Sequence, residues 1–295
     1  MNDKPRYYIT DVFTTRKYSG NQLATFVNCE SLSTEEMQAI AREINFSETT
    51  FIMSKHMLDG GFNVRIFTPK EEVPFAGHPT LGTAYIIREK IISSPVEKII
   101  LNLGIGKIPV TFSNLTDTQQ LLWMQQTTPA FGHTLGKDQM AAILGLQQKD
   151  INPKYPILET STGFPHIIVP LQSLIALKQI KINREAYFSL VNDAWAKIIL
   201  AFVTEPYAAG QTLAVRVFAD YFGVPEDAAT GSGNGGLAAY LVHTQMLSTE
   251  IDIIAGQGYE LGRPSELHLQ AKEINGEIKV KVGGSVLQVA EGVWG

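Results

Sequence analysis

Apolar and polar positions alternate along residues 7–13 and again along residues 23–27, with Ser19-Gly20-Asn21 between them, which predicts an opening β-hairpin. The period then changes. Met37, Ile40, Ala41 and Ile44 recur at helical spacing behind Ser33 and Glu36, a capping-box pair, and Asn45 marks the helix end. Residues 48–53 and 62–67 read as strands around Asp59-Gly60-Gly61, and residues 80–90 as a helix that begins on the Gly77-His78 turn, with Pro79 suited to its first turn. A hairpin about Gly104-Ile105-Gly106 joins residues 99–103 to 107–112, and the polar stretch 113–120 reads as a domain joint. Beyond it the pattern predicts a strand at 121–125, a helix at 137–144 and a short buried strand at 166–170. Near the end, Asn275-Gly276 is a two-residue hairpin turn followed by Ile278, Val280 and Val282 alternating with Lys279 and Lys281, and residues 286–289 close the sheet. Mixed strands with one convincing helix after each glycine turn oppose a doubly wound βαβ sheet. The prediction is an α+β chain of two curved mixed sheets, each wrapped about a helix.

Part of this pattern occurs twice. Arg65-Ile66-Phe67 returns as Arg216-Val217-Phe218, Val73-Pro74 as Val224-Pro225, and Ala76-Gly77-His78-Pro79-Thr80 as Thr230-Gly231-Ser232-Gly233-Asn234. The offset is 151 residues at the arginines and valines and 154 at the glycines, so one short insertion separates the copies. Such a spacing is too wide for a solenoid. It predicts two similar domains, residues 1–117 and 118–295, facing one another across a cleft with the matched turns pointing into it. Whether the last strand crosses back to the first domain stays open.

Composition narrows the class. With 295 residues, 44% hydrophobic and 18% charged, the chain has the make-up of a globular protein with two ordinary domains. A net charge of −5 offers no general attraction to nucleic acid or an anionic membrane, so neither is an expected partner. The charged first residues lack an apolar leader, and no stretch reaches the roughly 18 apolar residues of a membrane span, so a cytoplasmic protein is expected. One cysteine, Cys29, leaves no internal disulfide and no multi-cysteine metal site.

The glycine turns carry the first candidate chemistry. Free N–H groups at a helix start favour an anion, and glycine lets a ligand approach the backbone. Two such starts would grip a small carboxylate without lysine or arginine; tight helix packing is the other reason for glycines there. Gly231, Gly233 and Gly236 also satisfy G-x-G-x-x-G, with Glu250 and Asp252 about 20 residues on, as in dinucleotide sites. The preceding strand ends near residues 218–219, too far from the glycines for the tight turn that such a site needs.

Glu48, among apolar and short hydroxyl residues at the mouth of a strand, is the candidate proton carrier, since partial burial there would raise its pKa toward the useful range. His78 and Asp227, one beside each glycine turn, are candidates to position substrate or relay protons. Each also has a plain structural role open to it, as a solvated carboxylate, a helix-start hydrogen-bonding residue and a loop acceptor respectively. H-E-x-x-H, G-x-S-x-G, the P-loop motif and paired C-x-x-C are absent, and the histidines show no ligand spacing, so no metal is expected.

Gly20-Asn21, Ser47-Glu48-Thr49, Arg65-Ile66-Phe67-Thr68-Pro69, Phe75-Ala76-Gly77-His78-Pro79-Thr80, Glu226-Asp227-Ala228-Ala229-Thr230-Gly231-Ser232 and Gly262-Arg263-Pro264-Ser265 together resemble the phenazine biosynthesis PhzF-like proteins, over nearly the whole chain. The resemblance implies two pseudo-symmetric diaminopimelate-epimerase-like domains, each a mixed sheet rolled into a barrel around a central helix, and a homodimer that works without a cofactor. It implies an isomerase of the trans-2,3-dihydro-3-hydroxyanthranilate type, moving a proton on a small cyclic carboxylate. It places the acid–base glutamate on Glu48, assisting residues on His78 and Asp227, and substrate-carboxylate contacts on Gly77, Gly231 and Ser232. Related epimerases use two cysteines, where this chain has Ala76 and Thr230, so a two-cysteine racemase is excluded. Ala228 and Gly233 depart from the family pattern at the site and are expected to loosen the second turn; Gln22 and Asp220 depart elsewhere. Two other classes stay open: a non-catalytic protein that captures a small anion or a partner in the same cleft, and a nucleotide-dependent reductase.

Overall fold

The computed structural model describes residues 4–114 and 120–295. Its contacts divide the chain into two compact units, Met1–Gln125 with Gly283–Gly295, and Gln126–Val282. Residues 115–119 of the expected joint lie outside the described residues.

In the first unit β1 (Arg6–Val12) and β2 (Asn21–Val27) form the opening hairpin, and α1 (Thr34–Ile44) follows. The capping box of α1 is made: Glu36 N–H donates to Ser33 Oγ at 3.2 Å and Ser33 N–H to Glu36 Oε2 at 2.8 Å. Asn45 ends the helix in the left-handed region, and Met37, Ile40 and Ala41 pack with Phe26, Phe51 and Phe67. Next come β3 (Thr49–Ile52), β4 (Phe62–Phe67), the short β5 (Glu72–Val73), α2 (Gly77–Ile86), β6 (Lys98–Leu103), β7 (Gly106–Asn114) and β8 (Gln120–Gln125). Helix α2 is small or apolar on every face and buried throughout except at Tyr85, the signature of a core helix. It lies against β1, β2, β3, β6, β7 and β8. Its Thr83 hydroxyl donates to Thr50 Oγ1 at 2.8 Å, which donates to Thr25 Oγ1 at 3.0 Å, so these buried hydroxyls satisfy one another. A π-helical turn over Ile87–Ile92 extends α2, as the longer expected helix anticipates.

The second unit comprises β9 (Ala130–Leu135), α3 (Lys137–Leu144), β10 (Ile157–Ser161), β11 (Pro165–Pro170), α4 (Leu174–Gln179), α5 (Arg184–Val191), β12 (Ile198–Val203), β13 (Leu213–Ala219), β14 (Val224–Asp227), α6 (Gly231–His243), β15 (Glu250–Gln257), β16 (Ser265–Ile274) and β17 (Glu277–Gly284), whose last two residues belong to the first unit. Helix α6 is buried and lies against β10, β11, β15 and β16. On the other face of the sheet, Met140, Ile143, Leu144, Leu177, Tyr187 and Val191 of α3, α4 and α5 pack on Ile167, Val169, Ile199 and Ala201. Covered on both faces, β12 is apolar throughout. Helices α4 and α5 go beyond the single helix expected per glycine turn; six and eight residues are too few for periodicity to declare them.

The duplication is visible in the strand pairings. Antiparallel β1–β2, parallel β2–β3, antiparallel β3–β4, parallel β4–β6 and antiparallel β6–β7 are matched in order by β10–β11, β11–β12, β12–β13, β13–β15 and β15–β16. The last strand, β18 (Val286–Val293), returns to the first unit and pairs antiparallel with β1, from Arg6 opposite Val293 to Val12 opposite Val286.

Candidate active site

Each unit places its candidate residues at the start of its buried helix. In the first, Gly77 and His78 open α2, and Glu48 stands directly ahead of β3. The His78 ring is almost fully buried, and its Nε2 lies 3.6 Å from Glu48 Oε2, whose side chain keeps 19% of its surface. Gln22 contributes a carbonyl oxygen 3.2 Å from the same nitrogen. A carbonyl only accepts, so Nε2 carries the proton; Nδ1, 3.2 Å from Asn21 Nδ2, then accepts from that amide. Burial pushes the His78 pKa down to about 3, which keeps the ring neutral at ordinary pH. Its contact with Glu48 is therefore a neutral N–H aimed at a carboxylate, at a distance beyond a full hydrogen bond.

In the second unit Asp227 ends β14, and Gly231 and Ser232 open α6. Thr230 Oγ1 donates to Asp227 Oδ2 at 2.5 Å. The structure thus brings Glu48 to His78, and Asp227 to Thr230 at the doorstep of Gly231 and Ser232.

At both helix starts the N-cap residue makes no side-chain cap hydrogen bond, whereas α1 has a complete box. The N-cap positions are Ala76 and Thr230, and the threonine's hydroxyl is turned to Asp227. Neither first turn holds an acidic residue. First-turn N–H groups and a positive helix end without a cap are the elements of an anion site. The glycines of α6 have a packing role as well: a Cβ on Gly233 would lie 3.0 Å from the His166 ring, and one on Gly235 would lie 2.8 Å from Thr162 Oγ1. Gly231, Gly233 and Gly236 are all inside the helix, and none forms a strand-to-helix turn of the dinucleotide kind.

A pair of arginine clamps corrects the sequence alignment of the two copies. Arg65 is bidentate to Glu72, at 2.8 and 2.6 Å, and Arg216 to Glu226, at 2.8 and 2.7 Å. Ile66 pairs with Val73, and its equivalent Val217 pairs with Asp227 rather than with Val224. The offset is therefore already 154 at Glu72 and Glu226, and the inserted residues sit earlier, around the 3₁₀ turn Asp220–Phe222. The repeated Val-Pro is a coincidence of composition. In the true register Asp227 stands where the first unit has Val73, Thr230 where it has Ala76, and Ser232 where it has His78.

Comparison with known proteins agrees with this architecture. Residues 10–292 match the family model described as phenazine biosynthesis-like protein. The chain belongs to this family. A relative named trans-2,3-dihydro-3-hydroxyanthranilate isomerase, from Pseudomonas aeruginosa, is 33% identical over 97% of this chain and 98% of its own length. The crystal structure of a PhzF-family phenazine biosynthesis protein from Bacillus anthracis superimposes with a TM-score of 0.90 at 26% identity, covering 98% of each chain. A probable proline racemase from Agrobacterium radiobacter, 11% identical with a TM-score of 0.64 over 99% of this chain and 93% of its own, shares the fold alone. The family member described here is an isomerase with a mixed α+β fold. Among the described residues, no helix is long and apolar enough to cross a membrane.

Three residues around the site escape a reading of candidate acids and bases. Asn21 sets the tautomer of His78, Gln257 binds the Asp227 turn, and Ser265 Oγ donates to the Ala228 carbonyl at 2.9 Å. The expected loosening at Ala228 therefore meets a backbone that is braced from below. A lone glutamine closing the apolar run Ile253-Ile254-Ala255, just before a glycine, was the available signal for Gln257.

Proposed function

We propose that this chain is a cofactor-independent isomerase acting on a small cyclic carboxylate of the dihydroanthranilate type, with Glu48 as the proton carrier. The isomerase relative from P. aeruginosa supports the substrate class. The observation that carries the reading is the pairing of Glu48 with the neutral N–H of His78 at 3.6 Å, beside the uncapped start of a buried helix.

In this reaction the Glu48 carboxylate takes a proton from a ring carbon. Its O–H bond forms as the C–H bond breaks, and the electron pair shifts along the neighbouring double bond. Glu48 then returns a proton to the far carbon, giving an enol that relaxes to a ketone. No electrons leave the substrate, so the chemistry requires no redox carrier. His78 orients the carboxylate without neutralising it, because its own proton is fixed on Nε2 by Gln22 and Asn21. Gly77, at the start of α2, offers first-turn N–H groups to the substrate carboxylate; Gly231 and Ser232, at the start of α6, and Asp227 ahead of it are the second unit's candidates for substrate contact, Asp227 as an acceptor from an amino or hydroxyl group.

Glu48→Gln is the test. With trans-2,3-dihydro-3-hydroxyanthranilate, kcat should fall by about 10²–10⁴-fold while circular dichroism and substrate Kd stay near wild type. Turnover within a few-fold of wild type would remove Glu48 from the role.

A further inference from the structure

We propose that Gln257 is a positioning residue for this reaction, its buried amide fixing the turn that leads from Asp227 into α6; the inference rests on the role given to Asp227 above. Gln257 is the last residue of β15 and has no exposed surface. Its Nε2 donates to the Asp227 carbonyl oxygen at 2.8 Å and to Thr230 Oγ1 at 3.1 Å. Its Oε1 accepts from the Thr230 backbone N–H at 3.2 Å and from Asn234 Nδ2 at 2.8 Å. A primary amide offers two donor hydrogens and two acceptor lone pairs, so the whole capacity of this one is spent on a single turn. Thr230, held at both its N–H and its hydroxyl oxygen, hands its own hydroxyl proton to Asp227 Oδ2 at 2.5 Å. The carboxylate's direction thus follows from the amide's through one residue.

The loop beyond Gln257 completes the support. Gly258 has φ +79°, and a Cβ there would lie 2.5 Å from the Ala228 carbonyl oxygen and 2.4 Å from that of Arg263. The same Ala228 oxygen accepts from Ser265 Oγ at 2.9 Å. Residues 257–265 therefore underlie residues 227–230, which gives the Gly262-Arg263-Pro264-Ser265 segment a physical task.

The duplication supplies a control within the molecule. Strand β15 lies parallel to β13 with Gln257 opposite Val215, and β6 lies parallel to β4 with Asn102 opposite Asn63. Val64 is the equivalent of Val215, so the position that corresponds to Gln257 in the first unit is Leu103, one residue beyond the Asn63–Asn102 pair. Where the second unit has Asp227 with Gln257, the first has Val73 with Leu103. The first unit, whose turn has no carboxylate to aim, carries apolar residues at both corresponding positions. A buried amide is costly unless all its hydrogen bonds are made, and here it occurs under the turn that carries an acid.

Gln257→Met keeps the side chain's length and removes all four hydrogen bonds. With trans-2,3-dihydro-3-hydroxyanthranilate, kcat should fall about 10²-fold with KM changed less than about threefold. Amide exchange over residues 227–234 should quicken at least about tenfold while β16 keeps its protection. Thr230→Val cuts the link at Asp227, and the double variant should be no slower than the slower single, since both act through one turn. A folded Gln257→Met protein with kcat within about twofold of wild type, or with unchanged exchange over residues 227–234, overturns the inference. Should that variant not fold, Gln257→Glu decides. As a neutral acid it keeps a donor and as a carboxylate it has none, so its kcat relative to wild type should drop as pH rises, and a parallel profile overturns the inference. Asp227→Asn separates the two ideas: full turnover there overturns the role of Asp227 itself, whereas an inactive Asp227→Asn beside a fully active Gln257→Met overturns Gln257 alone.

Discussion

At the scale of single residues, the chemistry turns on which groups are neutral. Burial brings the pKa of His78 to about 3 and that of His166 to about 4, from an ordinary value of 6.5. Between those values and 6.5 the unfolded chain binds protons that the folded chain refuses, so stability rises with pH across this window and is complete above it. On acidification below about pH 6.5, each ring withdraws stability at about 1.4 kcal/mol per pH unit until its folded pKa is reached. The urea midpoint of His166→Gln should therefore fall less steeply from pH 6.5 to 4.5 than that of the parent; identical slopes would mean that the ring is protonated in the fold. The identities of Glu48, His78 and Asp227 as candidates were legible in the chain. The tautomer of His78 was not, because it depends on the Gln22 carbonyl and the Asn21 amide, over fifty residues away.

At the scale of elements, the helices divide by how they begin. Helix α1 closes its own N-terminus with a capping box, whereas the N-cap residues of α2 and α6, Ala76 and Thr230, make no side-chain cap hydrogen bond. The strand-and-loop that supports α6 has a position with little tolerance. Gly258→Ala would force a side chain into the left-handed region and against two carbonyl oxygens, at a cost of about 3 kcal/mol. The expected result is a lower urea midpoint with an unchanged slope. An unshifted midpoint would show that the loop moves aside. Boundaries of α1, β4, α3 and the Asn275-Gly276 turn follow the sequence pattern because each is set by local signals: a cap, an alternation or a turn dipeptide. The repeated Val-Pro matches Val73 to Val224, whereas the strands match Val73 to Asp227, since strand register is fixed by hydrogen bonds and by the Arg–Glu clamps, neither of which a matching dipeptide reports.

At the scale of the whole chain, the first unit depends on the last segment. Strand β18 covers the length of β1, and Trp294 packs edge-on against Phe26 at 5.2 Å and Tyr7 at 6.0 Å. A chain truncated after Val282 loses that strand and its aromatic anchor and exposes the β1 edge. Limited proteolysis of the truncated chain should degrade residues 4–125 quickly while residues 126–282 resist. Equal resistance of both segments would show that β18 is dispensable.

By itself, the sequence determined that this is an α+β chain with a duplicated plan, a family resemblance and a short roster of candidate acids, bases and helix starts. Those properties are written in periodicity and in motifs a few residues long, where local sterics and hydrogen bonding decide the outcome. The tertiary structure alone decided that β18 returns to pair with β1, which glutamate each arginine clamps, and which amide stands beneath Asp227. Each of those joins groups at least seven residues apart, and several join groups tens or hundreds apart. Only the folded backbone sets the distance and angle on which a hydrogen bond depends.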